Sequence, residues 1–107
     1  MHGESKMIQR KVDKDTALNI AFFHAARNGQ MEVVELALEA GVDVHFLSDV
    51  ALRGAAETGQ TEMVGYLLRH GADVHAKNDE PLQLAKKYRH RKTAALLKEW
   101  MKYDPPA

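Results

Sequence analysis

Residues 21–50 read AFFHAARNGQMEVVELALEAGVDVHFLSDV, and residues 51–80 read ALRGAAETGQTEMVGYLLRHGADVHAKNDE. They align without a gap at an offset of 51 − 21 = 30. The identical pairs are Ala21/Ala51, Ala25/Ala55, Ala26/Ala56, Gly29/Gly59, Gln30/Gln60, Glu32/Glu62, Val34/Val64, Leu38/Leu68, Gly41/Gly71, Asp43/Asp73, Val44/Val74, His45/His75 and Asp49/Asp79. Chance would give about two, so one structural unit is written twice in register. A third copy starts at Pro81, with Leu82 and Ala85 under Leu52 and Ala55 and with Arg89 in place of the repeat glycine. Residues 11–20 match 41–50 only loosely, and degenerate ends are what a stack of repeats requires.

The chemistry within a unit predicts two helices. Phe22, Ala25 and Ala26 stand at i, i+3, i+4, and Val34, Ala37, Leu38 and Gly41 continue that spacing in a second stretch. Gly29 and Gly59 fall between the stretches, where glycine takes the positive φ that ends a helix. Gly41 and Gly71 close the second helix, Asp49 and Asp79 are expected to supply N-cap oxygens for the next one, and Pro81 suits a first turn. The paired alanines are small enough to let neighbouring units lie close.

These residues carry a resemblance. The run through Ala25, Ala26, Gly29, Glu32, Val33, Val34, Leu38, Gly41, Asp43 and Val44 resembles the ankyrin repeat, as does the second run to GADVHAKND, and the likeness covers about residues 15–100. It implies an all-α solenoid of stacked antiparallel helix pairs, about three repeats joined by short inter-repeat turns. The expected organisation is an N-terminal segment or degenerate cap at 1–14, repeats at 15–47, 48–77 and 78–103, and a tail at 104–107. The chain departs from the family pattern in three ways. Its period falls short of the usual length of about 33, with the deficit between Val44 and Ala51, so the projecting hairpin should shrink to a turn. The Thr-Pro-Leu-His opening is absent. His45 and His75 stand where asparagine is usual.

Composition narrows the function. The 107 residues contain no cysteine, which excludes disulfides, thiolate chemistry and cysteine-held zinc. The start, MHGESKMIQRKVDKD, has no apolar run of signal-peptide length, and no transmembrane stretch follows, so a cytoplasmic protein without membrane contact is expected. The hydroxyls Ser5, Ser48, Thr16, Thr58, Thr61 and Thr93 sit in no catalytic motif, so no enzyme activity and no cofactor are expected. His45 and His75 occupy equivalent places in neighbouring units, about 8 to 10 Å apart if they follow the helix spacing. Two zinc ligands lie within roughly 4 Å of each other, so no metal site is expected, and ring nitrogens bonded to turn backbone are the expectation instead.

The repeat also supplies its own control for surface residues. Phe46 and Leu47 stand in a turn where the next unit has Ala76 and Lys77, and Phe23 stands where later units have Arg53 and Gln83. Two readings remain open: these apolar groups meet a partner, or they pack on one another or on the N-terminal segment as a cap. The resemblance further implies partner contacts at the ends of the first helices, which are Arg27 with Asn28, Glu57 with Thr58, and Lys87 with Tyr88. With Phe23, Phe46, Leu47, Arg53 and Lys77 these form the candidate surface for another protein.

Charge is segregated although the formal sum is zero. Residues 31–80 carry ten acids against three bases, whereas 81–102 carry Lys86, Lys87, Arg89, Arg91, Lys92, Lys98 and Lys102 against Glu99 alone. The basic run KKYRHRK at 86–92 is read first as the polar outer side of a terminal repeat. An acidic partner, self-association with the acidic middle as a weak homo-oligomer, and nucleic acid are the alternatives. Tyr88 alone is thin support for base stacking.

Overall fold

A computed structural model describes residues 14–103. The N-terminal cap expected over 1–14 falls, except for Lys14, outside the described residues, as does the 104–107 tail. Six helices follow in order: α1 Lys14–Arg27, α2 Met31–Glu39, α3 Phe46–Glu57, α4 Thr61–Arg69, α5 Ala76–Lys87 and α6 Arg91–Tyr103. No strand occurs among the described residues, so the fold is the all-α stack of helix pairs expected from the repeat.

First helices stack in a row, α1 on α3 and α3 on α5, and each second helix packs against its own first. The alanines explain the closeness of that row: Ala25, Ala26, Ala51, Ala55, Ala56 and Ala85 are all buried. Phe22, Leu52, Val34, Val64, Met63, Leu67 and Leu97 fill the space between the two helix rows.

The first helices all end in the same way. Gln30, Gln60 and His90 donate their backbone N–H to the carbonyls of Ala25, Ala55 and Ala85 at 2.8, 2.9 and 2.8 Å. The preceding residue must be left-handed for that bond to form. Gly29 and Gly59 adopt φ of 73° and 74°, and Arg89 is forced to 63°.

Between repeats the shortened connection is a left-handed turn. Leu47, Ser48 and Asp49 have φ of 50°, 55° and 59°, and Lys77, Asn78 and Asp79 have 51°, 59° and 64°. The right-handed course of α3 and α5 begins only after these residues, which is why Pro81 is tolerated near the start of α5. Three consecutive left-handed residues with side chains are costly, so side chains must hold them in place.

Candidate functional site

The holding groups start at Asp43 and Asp73, whose Oδ1 atoms accept the backbone N–H of His45 and His75, each at 2.9 Å. Beyond that, the expected roles of the turn residues need correction. Asp49 and Asp79 stand just before the right-handed course of α3 and α5, as N-caps would, but their carboxylates bond within and between the inter-repeat turns. The left-handed backbone directs each carboxylate back into the turn, where Asp49 Oδ1 lies 2.9 Å from His45 Nδ1 and Asp79 Oδ1 lies 2.5 Å from His75 Nδ1. The Nδ1 atom of each imidazole therefore meets a carboxylate, where turn backbone was expected. Asp49, only 4% exposed, uses its Oδ2 to accept the Asp73 N–H at 2.8 Å, which ties one inter-repeat turn to the next. The bond to Asp49 raises the pKa of His45 above its usual value; partial burial opposes it, and the charges of Asp49, Asp43 and Asp73 add to it.

Arg53 completes the first turn. Its Nε donates to Ser48 O at 3.0 Å, Nη2 to Leu47 O at 2.8 Å, and Nη1 to Glu80 Oε1 at 2.9 Å in the following repeat. Gln83, the equivalent residue, donates from Nε2 to Asn78 O at 3.0 Å. The sequence comparison marked this position as polar and missed its purpose, which is to satisfy carbonyls that a left-handed turn leaves unpaired.

Phe23 makes a contact across repeats that the sequence did not show. Its half-buried ring lies against Gly54 of the next repeat, where an added Cβ would come within 2.9 Å of Phe23 Cε1, and it also stacks on His24 at 4.9 Å. Phe46 is half-buried at the foot of the turn, and Leu47 stands at its tip, 64% exposed. Lys77 is exposed at the equivalent tip.

At the other end of the first helices, Arg27 and Glu57 form an ion pair across repeats. The Thr58 hydroxyl donates to Arg27 O at 2.6 Å, and His90 Nε2 does the same to Glu57 O at 2.9 Å. Asn28, Lys87 and Tyr88 are exposed, with Lys87 Nζ 5.3 Å from the Tyr88 ring centre. The structure thus brings Arg27, Glu57 and Thr58 together and leaves the turn residues as a separate group.

Two further notches were invisible in a linear reading. The Gln60 side chain sits where a Cβ on Gly29 would lie, with Oε1 2.4 Å away, and the His90 ring fills the same space at Gly59, with Nδ1 2.5 Å away. The signal was present: the position after each repeat glycine holds Gln30, Gln60 and His90, and the side chain of one unit fits the glycine of the unit before.

Among the described residues no group of three or more His, Asp or Glu side chains converges in a way that could hold a metal ion. No helix among them is long and apolar enough to cross a membrane. A family model described as ankyrin repeats (3 copies) matches the chain over residues 2–78 and again over 22–105. No curated protein matches it.

Proposed function

The chain belongs to the ankyrin-repeat family, whose members are generally protein–protein interaction modules and typically non-catalytic, and from that premise we propose that this protein acts by binding another protein, as an adaptor or an inhibitor. The observation that carries the reading is the pair of braced left-handed turns. Backbone fixed by Arg53 and Gln83 presents Leu47 and Lys77 at equivalent tips, with Phe46 at the foot of the first. A surface ordered before contact loses little conformational entropy on docking. The first-helix ends, Arg27 with Asn28, Glu57 with Thr58 and Lys87 with Tyr88, extend the proposed surface. Arg53 contributes by positioning, and Phe23 by spacing the first two repeats.

The test is capture from a nuclease-treated lysate, with the native chain compared against Phe46→Lys/Leu47→Lys and against Leu47→Lys alone. The single variant guards against misfolding, because Leu47 packs little and a change there leaves stability within about 0.5 kcal/mol. A protein retained by the native chain and lost by both variants supports the reading. Retention that disappears with nuclease overturns it.

A further inference from the structure

We propose that the open end of the last repeat is a docking groove for an acidic segment of a partner protein. This rests on the reading of the chain as a protein-binding module and gives the partner a chemistry. Between α5 and α6 lies a groove of about 560 Å³. Buried Ala85 and Ala94 form its floor, and exposed Ala95, Lys86, Arg89, Arg91 and Lys98 form its rim.

The groove keeps the form of a stacking face. Its equivalents in the second repeat, Ala55, Ala56, Val64 and Leu68, are all buried, and at the end of the chain Ala56 and Leu68 give way to Lys86 and Lys98. Solubility explains polar residues at a terminal unit, but not a single sign of charge. Among the described residues none of Lys86, Arg89, Arg91 and Lys98 has a carboxylate within ion-pair distance, and Glu99 faces Lys102 instead, at 3.6 Å.

Two local choices run against the stability of the fold. Arg89 takes the left-handed conformation, φ 63°, that Gly29 and Gly59 adopt without a Cβ penalty. Glycine would serve this turn better, so what the position gains is the guanidinium. At the start of α6, Lys92 stands in the register of Glu32 and Glu62, and the first turn has no acid, so cations crowd the positive end of the helix dipole. The unneutralised charge of Lys86, Arg89, Arg91 and Lys98 around the groove, beside a helix start that carries Arg91 and Lys92, favours an anion in it.

The floor decides which anion. Nucleic-acid bases need aromatic faces to stack on, and no aromatic ring lines this groove except the imidazole of His90, which is bonded to Glu57 O. Alternating carboxylates and small aliphatic side chains suit an alanine floor with a cationic rim.

The test uses fluorescence anisotropy with a short labelled peptide alternating Glu or Asp with Leu, a Lys-for-Glu control peptide and an oligothymidylate of similar length. The native chain should bind the acidic peptide alone. Arg89→Gly should weaken binding roughly tenfold, as expected for loss of one charge-assisted contact, while raising the urea midpoint. Failure of the acidic peptide to bind, or equal binding by the variant, overturns the proposal. Tighter binding of the oligothymidylate does so in favour of nucleic acid, and a salt-sensitive mass above monomer for the chain alone does so in favour of a second copy. Loss of the peptide with retention of the lysate partner would sink the groove and leave the protein-binding reading standing.

Discussion

The imidazole of His90 fills the space that a side chain on Gly59 would occupy, its Nδ1 2.5 Å from an ideal Cβ. Gly59 is thus fixed twice, by φ 74° and by the neighbour in its notch, whereas Gly71, at φ 99°, faces open space. Gly71→Ala should cost about 1 to 2 kcal/mol for the backbone alone. Gly59→Ala adds overpacking and should reach about 2 to 4 kcal/mol. Urea unfolding of the two variants measures the difference, and equal losses would mean that the His90 ring moves aside freely.

Asp49 joins two turns through His45 and the Asp73 N–H. Asp49→Ala leaves a backbone donor without its acceptor in a part-buried place and should destabilise by about 1 to 3 kcal/mol. Asp49→Asn, which keeps an oxygen able to reach Asp73, should lose less. Hydrogen exchange at the Asp73 amide should speed up in the alanine variant and stay slow in the asparagine one.

Arg53 serves two carbonyls and one carboxylate, so Arg53→Ala removes three bonds at once. A loss of about 1 to 3 kcal/mol is expected, from the two turn carbonyls left without a donor and from the part-buried pair with Glu80. Arg53→Gln, copying Gln83, should recover part of it. Thermal unfolding of the three proteins checks the order.

The raised pKa of His45 gives stability a pH dependence of known sign. The folded state binds the proton more tightly than the unfolded chain, whose histidine titrates near 6.5. The stabilisation is therefore complete below about 6.5 and is lost as pH rises through the higher folded-state value. The urea midpoint should fall modestly from about pH 6 to about pH 8, and His45→Gln should flatten that part of the profile. A slope unchanged in the variant would assign it elsewhere.

Repeat, period and helix pairs were legible in the residues because they depend on local rules: i, i+3, i+4 spacing of Phe22, Ala25 and Ala26, and glycine at Gly29, Gly41, Gly59 and Gly71 where the chain turns left-handed. Even the shortened turn could be read from the deficit between Val44 and Ala51. The purposes of Asp49, Arg53 and Phe23 could not. Each acts on a group 5 to 31 residues away, as with Asp49 on Asp73, Arg53 on Ser48 and Glu80, and Phe23 on Gly54. The upper figure is the separation of Phe23 from Gly54, 54 − 23 = 31.

By itself, then, the sequence determined which unit is stacked and how many times, since periodicity and glycine conformation are properties of the chain alone. Only the tertiary structure decided where the polar side chains are spent. A left-handed turn changes the direction of the carboxylates at Asp49 and Asp79, and the carbonyls it exposes choose Arg53 and Gln83 as partners. Those choices depend on backbone direction and on the neighbouring repeat, neither of which exists until the units are packed together.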